Sequence, residues 1–188
     1  MPKFHTASIR AVALVGHGGA GKTTLAEALL QRAGAIPAAG SVEKGNTVCD
    51  FDVQEKAAGH SLQSALVNFA WHDTRIHLID TPGYPDFAGQ AIGALAAVDT
   101  AAVVINAQTG IELATRRMMK WAQARKLCRM IVINKIAAEN VNLPALLANI
   151  QETFGKECLP INLPAHGGKD IVDCFFNPDG ESDFSSVK

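Results

Sequence analysis

The chain has 188 residues and a formal net charge of −1, from 17 basic and 18 acidic residues, and 48% of its residues are hydrophobic. That length allows one compact domain with a sizeable core, and the balanced charge argues against a broad surface for polyanions, so we expect no DNA partner. Four widely spaced cysteines without a C-x-x-C pair indicate reduced thiols, and no apolar run approaches the length of a membrane span. We therefore expect a cytoplasmic protein without a membrane partner.

Apolar runs alternate with amphipathic segments along the chain, which is typical of an α/β fold. The apolar runs predict strands at 11–15, 62–70, 75–79, 101–106 and 129–134. Helical spacing predicts helices at 22–33, 86–97, 111–125 and 143–154. Because runs such as AAVVI and MIVI are apolar at consecutive positions, we expect a mostly parallel open sheet with helices on both faces. The stretch WHDT predicts a hairpin turn, so the second strand should be antiparallel to the third.

The most informative stretch is GHGGAGKTT, residues 16–24, which fits the phosphate-loop pattern G-x-x-x-x-G-K-[ST]. Its glycines let backbone N–H groups approach a polyphosphate closely. Lys22 supplies a cation for the β- and γ-phosphates, and the Thr23 hydroxyl is placed to ligate Mg²⁺. An ordinary glycine-rich turn is the alternative, but the flanking strand and helix favour a nucleoside triphosphate site.

Two weaker motifs also follow predicted strands. Asp80 to Gly83, with sequence DTPG, could bring a carboxylate to Mg²⁺ through water and an N–H to the γ-phosphate, although a plain turn has the same composition. Asn134 and Lys135 follow MIVI and suggest base recognition, although asparagine at a strand end is often a local cap. Because ligands bind at the carboxyl ends of parallel strands, we expect both motifs to lie beside the phosphate loop.

The connection at 34–60 holds few apolar residues and several glycine, aspartate and lysine residues. We expect it to be irregular, and to be a segment that the terminal phosphate orders. Five histidines lack ligand spacing, and we interpret them as surface or core residues rather than metal ligands: His5, His60, His72, His77 and His166.

Taken together, GHGGAGKTT, DTPGYPDF and NKI resemble the GTP-binding domain of translational GTPases, specifically that of elongation factor G. Residues 55–62, EKAAGHSL, resemble the end of that family's switch I, and residues 133–164 resemble the stretch that enters its inserted subdomain. The string GHGGAGKTTLAEALL and Tyr84 are closer to the second, elongation-factor-G-like paralogue. The resemblance extends from about residue 10 to residue 175. It implies an α/β P-loop NTPase fold that is incomplete at the C-terminal end.

The resemblance also implies a division of the chain. Residues 1–157 would be a truncated GTP-binding domain that lacks the final base-contacting loop and helix. Residues 158–188 would begin the inserted subdomain and end in a polar tail. The implied ligands are GTP or GDP with Mg²⁺, and the implied macromolecular partner is the ribosome.

The resemblance implies a role for each matching residue. Asp80, Thr23 and Ser61 would hold Mg²⁺, Asp80 through water, and Gly83 would sense the γ-phosphate. Asn134 and Lys135 would contact the guanine, and Tyr84 and Lys22 would take part in catalysis. The phosphates would be wrapped by Gly16, His17, Gly18, Gly19, Ala20, Gly21, Lys22, Thr23 and Thr24.

Four departures from the family pattern leave alternatives open. Ala137 stands where the family has the aspartate that reads guanine, which weakens base selectivity. Tyr84 replaces the histidine that positions the attacking water, which puts stimulated hydrolysis in doubt. Ser61 replaces threonine, and Gly19 lies where relatives often have aspartate. We expect a GTPase that is weak or inactive as this chain alone; the alternatives are a nucleotide- or ribosome-binding module without hydrolysis, or an unrelated P-loop ATPase.

Overall fold

The computed structural model describes residues 4–168, 170–176 and 182–183. They form two compact units. The first comprises the described residues up to Asn106 together with Ile111–Asn134, and the second comprises Ala107–Gly110 and the described residues from Lys135 onward. Within the described residues, no helix is both long and apolar enough to cross a membrane.

The first unit is built on a five-stranded sheet with the order β2-β3-β1-β4-β5. Its strands are β1 Ile9–Gly16, β2 Ala65–Trp71, β3 Thr74–Asp80, β4 Thr100–Asn106 and β5 Cys128–Asn134. The neighbours β1 and β3, β1 and β4, and β4 and β5 are parallel, and β2 is antiparallel to β3 with Trp71 opposite Thr74. The mostly parallel sheet and the antiparallel hairpin predicted from the sequence are both confirmed.

Helices connect and cover the strands of this sheet. They are α1 Lys22–Arg32, α2 Val53–Ala58, α3 Ala88–Leu95 and α4 Leu113–Ala124, with short 3-10 turns at Thr6–Ser8 and Pro85–Phe87. β4 is buried from Ala101 to Asn106, as expected for a central strand covered by helices. Leu14 of β1 and Leu78 of β3 pack with Leu30 of α1 in the core.

The connection at 34–60 is more ordered than predicted. It contains α2, which begins after a capping box in which Asp52 accepts from the Gln54 N–H and Glu55 accepts from the Asp52 N–H. The helix ends at Gly59, which is left-handed with φ 68°. With six residues, α2 is too short and too polar to show an apolar period, so this part of the prediction was wrong.

The second unit contains α5 Leu143–Phe154 and a two-stranded antiparallel hairpin of β6 Asn162–Ala165 and β7 Asp170–Asp173. Asn142 caps α5 by accepting from the Ala145 N–H, and the helix spans the predicted residues. The hairpin was not predicted. The expected polar tail after residue 176 lies outside the described residues, apart from residues 182 and 183.

Candidate nucleotide site

The phosphate loop joins β1 to α1 at the carboxyl end of the central strand. Gly16 has φ 142°, and a Cβ there would collide with the Val104 carbonyl oxygen of β4, so only glycine fits. Gly21 adopts a left-handed conformation with φ 87° and starts α1 at Lys22. The unpaired N–H groups at this helix end therefore face the loop, an arrangement that favours anions.

Lys22 lies inside the loop rather than on its surface. Its Nζ donates to the carbonyl oxygens of Gly16 at 3.2 Å and His17 at 2.8 Å. Burial lowers the pKa of Lys22 to about 8, and the negative charge of Asp80 acts in the opposite direction. A buried ammonium held by carbonyl dipoles can exchange them for phosphate oxygens, which carry formal negative charge.

A chain of hydroxyl and carboxylate groups joins three segments next to Lys22. The Thr23 hydroxyl of α1 donates to Asp80 Oδ2 at 2.6 Å, and the Ser61 hydroxyl donates to Asp50 Oδ1 at 2.6 Å. The two hydroxyl oxygens are themselves 3.2 Å apart. Each hydroxyl uses its one proton in the hydrogen bond to a carboxylate, so the oxygen atoms of Thr23 and Ser61 face each other with lone pairs. Two facing oxygen atoms of this kind favour a bound cation.

The two carboxylate oxygens of Asp80 differ in their hydrogen-bond partners. Oδ1 is buried without a hydrogen-bond partner among the described residues. Burial raises the pKa of Asp80 to about 6, although the Thr23 hydrogen bond and the charge of Lys22 lower it. A buried carboxylate oxygen beside two hydroxyl oxygens fits the hard, oxygen-seeking ion Mg²⁺.

The protein offers only part of a coordination shell. In the described ranges, no group of three or more histidine, cysteine, aspartate or glutamate residues could hold a metal ion. Mg²⁺ is usually held by one or two carboxylates together with substrate phosphates and water. The donor set of Thr23, Ser61 and Asp80 therefore fits Mg²⁺ bound with a nucleotide.

Three buried acids that order residues 40–63 were not identified from the sequence. Asp50 holds Ser61, and Glu55 accepts from the N–H groups of Leu62 at 2.9 Å and Gln63 at 3.0 Å. These bonds to Glu55 divert residues 62 and 63 from the sheet, so β2 starts at Ala65 rather than at residue 62 as predicted. Nothing in the local pattern marked Asp50 or Glu55 as buried.

Glu27 is the third acid, and it is completely buried. Its carboxylate accepts from the Gly40 N–H at 2.8 Å and the Val48 N–H at 2.6 Å. It follows Thr23 by four residues and therefore lies on the same face of α1. That spacing was a signal in the sequence that could have identified it.

The segment after β3 lies against the phosphate loop. The Thr81 hydroxyl donates to the Leu14 carbonyl oxygen at 2.7 Å and fixes the start of this segment. A Cβ on Gly83 would lie 2.5 Å from the Gly18 nitrogen and the His17 carbonyl oxygen. Gly83 therefore brings its backbone as close to the loop as glycine allows.

Tyr84 covers the loop next to Gly83. Ring atoms Cε2 and Cζ lie 3.2 Å from the point where Gly18 would carry a Cβ, and the residue is 44% exposed. The ring thus lies on the backbone that is predicted to wrap the phosphates, with one side open to solvent.

His17 and Asn134 hold the loop through their side chains. The Asn106 N–H donates to His17 Nε2 at 3.3 Å, so the proton lies on Nδ1, which donates towards the Gly18 carbonyl at 2.7 Å and Glu112 Oε1 at 3.0 Å. Asn134 Nδ2 donates to the Ala20 carbonyl oxygen at 2.9 Å. These bonds give both side chains a supporting role in the loop.

The remaining predicted residues differ in exposure. Ala20 is buried in the core, whereas Gly19 on the loop and Thr24 in the first turn of α1 are exposed. Lys135 belongs to the second unit, where it is exposed and left-handed with φ 58°. Ala137, in the same unit, is also exposed.

The sheet order, the loop at the end of its central strand and the hydroxyl–carboxylate cluster define a P-loop nucleotide-binding protein of the α/β class. Residues 7–179 match the elongation factor Tu GTP binding domain, and the chain belongs to this family. The resemblance stated from the sequence is confirmed by this match, and the alternative of an unrelated P-loop ATPase is wrong.

Individual relatives agree with the family. An elongation factor G-like protein from Mycobacterium tuberculosis is 39% identical over 85% of the chain and 22% of its own length. The mitochondrial ribosome-releasing factor 2 of Culex quinquefasciatus is 36% identical over 84% of the chain and 21% of its own length. A crystal structure of a Thermus thermophilus protein superposes with a TM-score of 0.85 at 40% identity, covering 90% of the chain and 26% of that protein. The chain thus spans about a fifth to a quarter of the length of these proteins.

Proposed function

We propose that this domain binds Mg²⁺·GTP at the carboxyl edge of its sheet and hydrolyses GTP slowly, in connection with the ribosome. Membership of the GTP-binding domain family supports the guanine nucleotide. The names of the relatives, an elongation factor G-like protein and a ribosome-releasing factor, support the ribosome as the partner.

The observation that carries the proposal is the cluster of Thr23, Ser61 and Asp80 beside the buried Lys22. Thr23 and Ser61 present facing oxygens 3.2 Å apart, and Asp80 Oδ1 has no partner among the described residues. Bound Mg²⁺ would neutralise negative charge that builds up on the phosphates during transfer. A ligand that brings both a cation and phosphate oxygens would satisfy these groups together.

The proposed chemistry is attack of water on the γ-phosphorus with release of GDP and phosphate. Lys22 would leave the carbonyls of Gly16 and His17 for phosphate oxygens, and the Gly83 N–H would meet the γ-phosphate. Tyr84, on the loop beside Gly83, would contact the attacking water. There is little covalent chemistry for the protein to perform, so catalysis would come from positioning and charge stabilisation.

Base recognition is proposed to be weak. Asn134 and Lys135 would contact the guanine, but Ala137 has no carboxylate to accept from the guanine N1–H and 2-amino group. Hydrogen bonds to a charged group contribute about 1.5–3 kcal/mol each, so discrimination against other purines should fall by about a hundredfold or more.

Titration of the 188-residue chain with fluorescent GTP, with and without Mg²⁺, tests the proposed site. Thr23→Ala should abolish the dependence on Mg²⁺. Thr6→Ala is the matched control, because Thr6 is exposed before β1, at the opposite end of the strand from the loop. No GTP binding by the parent chain at saturating Mg²⁺ would refute the proposal.

A second candidate function is nucleotide or ribosome binding without hydrolysis. The phenol of Tyr84 favours it, because tyrosine has no imidazole to position water. Single-turnover assays with γ-labelled GTP, with and without ribosomes, separate the two. Release of label that ribosomes do not accelerate would favour the binding function.

A further inference from the structure

His60 lies at the junction between two parts of the site. It follows Gly59, the left-handed residue that ends α2, and precedes Ser61, whose hydroxyl lies 3.2 Å from that of Thr23. The bonds from Ser61 to Asp50 and from Leu62 to Glu55 fix the backbone on its C-terminal side. Residue 60 is therefore held one position from a hydroxyl that is proposed to bind Mg²⁺.

The ring of His60 packs on Tyr84. The two ring centroids are 4.4 Å apart with the planes tilted by 48°, and the Phe87 ring lies at 6.3 Å from the His60 ring. Tyr84 in turn lies on Gly18 of the phosphate loop. An imidazole and a phenol from two separate segments thus pack together, and the phenol lies on the phosphate loop.

The imidazole has hydrogen-bonding capacity left. Nδ1 is 3.3 Å from the Ser61 carbonyl oxygen, and within the part of the chain that the structure describes, no hydrogen bond is made by Nε2. The residue is half-buried. Because a carbonyl oxygen only accepts, a proton on Nδ1 leaves Nε2 as an acceptor that can hold a water molecule. The other tautomer gives up the 3.3 Å contact with Ser61 and can donate from Nε2 to a phosphate oxygen, which is a strong hydrogen bond.

We propose that His60 contacts the γ-phosphate of bound GTP or the water next to it, and so supplies from residue 60 the imidazole that Tyr84 does not provide. This inference rests on the proposed function of the same site. The sequence groups His60 with the histidines that lack ligand spacing, because spacing along the chain does not show which residues meet at Tyr84.

The competing interpretation is that His60 only packs on Tyr84 and Phe87. The two interpretations predict different effects of the His60 side chain on the affinities for GTP and GDP. A contact with the γ-phosphate strengthens binding of GTP and leaves binding of GDP unchanged. Packing alone supports the site for both nucleotides equally.

The test measures the affinities of the 188-residue chain for GDP and for the non-hydrolysable analogue GMPPNP, both with Mg²⁺. His60→Phe keeps a ring over Tyr84 and removes both nitrogens, whereas His60→Gln keeps a donor and an acceptor. His5→Phe is the matched control, because His5 is exposed before β1. GDP affinity and the thermal midpoint report whether each variant is folded.

We expect His60→Phe to weaken GMPPNP binding by roughly 10- to 100-fold, the effect of one hydrogen bond to a charged group, with GDP binding within about twofold of the parent. His60→Gln should lose less, and His5→Phe should lose nothing. Equal weakening of GDP and GMPPNP, or no weakening of either, would overturn the inference. If His60→Phe does not fold, His60→Leu replaces it, and we expect the same loss of GMPPNP affinity with unchanged GDP affinity.

The proposed function and this inference fail in different ways. If the parent chain binds neither nucleotide, the proposed function is wrong and the inference falls with it. If the parent binds both and the His60 variants keep the parent ratio of GMPPNP to GDP affinity, only the inference is wrong.

Discussion

Glu27 joins α1 to the segment that follows it through two hydrogen bonds. The carboxylate is completely buried and accepts from the Gly40 and Val48 N–H groups. Cys49, next to Val48, is only 2% exposed and packs in the core. Replacing Glu27 by alanine removes both acceptors, so residues 40–49 should separate from α1 more often.

The size of the effect follows from the bonds that are lost. Two hydrogen bonds to a charged acceptor contribute about 3–6 kcal/mol together, and removal of a buried charge offsets part of that loss. We therefore expect Glu27→Ala to favour opening of the segment by about 2–3 kcal/mol. That corresponds to a rise of roughly 30- to 150-fold in the opening equilibrium constant.

Alkylation of Cys49 by iodoacetamide, followed by peptide mass spectrometry, measures this opening. In the closed segment the thiol does not react, because burial raises the pKa of Cys49, with Asp80 and Glu27 adding to the increase. When opening is in rapid equilibrium, the labelling rate is proportional to the open population. The rate should therefore rise with the opening constant.

Glu43→Ala is the matched control, because Glu43 is an exposed acid in the same connection. Glu27→Gln keeps an uncharged acceptor and should label at an intermediate rate. If Cys49 is labelled no faster in Glu27→Ala than in Glu43→Ala, Glu27 does not hold the segment and the reasoning fails.

Three further variants test other parts of the site. Gly83→Ala should weaken GDP binding more than about tenfold, because its Cβ would lie 2.5 Å from the Gly18 nitrogen. Gly89→Ala is the control, because a Cβ there meets open space, and it should bind GDP as the parent does. Equal GDP affinities of the two variants would contradict the contact between Gly83 and the loop. Ala137→Asp should raise the preference for GTP over ATP by about a hundredfold or more, and no change would mean that this position does not read the base. Glu55→Ala should lower the free energy of unfolding by about 2–3 kcal/mol in urea titrations, and an unchanged midpoint would refute its role in holding residues 62 and 63.

The elements of the fold could be predicted because their patterns are local. β4 and β5 are apolar at consecutive positions, and α5 repeats Leu143, Leu146 and Ile150 at helical spacing. Turn chemistry at residues 71–74 revealed the antiparallel pair. The phosphate loop could be predicted because its glycines and Lys22 stand at fixed spacing within one short segment.

The supporting contacts could not be predicted in the same way. Asp50, Glu55 and His60 act through partners in distant segments or through backbone groups, and no periodicity marks a buried acid in a polar connection. The packing of His60 on Tyr84 depends on where two loops meet, which spacing along the chain does not show. The roles of individual residues towards the nucleotide remain predictions.

The phosphate loop lies at the carboxyl end of β1, and residues at the ends of strands on both sides of β1 contact it. Gly83 reaches it from beyond β3, and Asn106 and Asn134 reach it from the ends of β4 and β5. The proposed nucleotide site therefore depends on segments from four of the five strands, and we expect nucleotide binding to be coupled to folding of the sheet. A nucleotide at about a hundred times its dissociation constant would stabilise the native state by about 2.7 kcal/mol. A rise in melting temperature on adding nucleotide would thus report on the packing of β1, β3, β4 and β5, including parts of these strands that lie far from the phosphates.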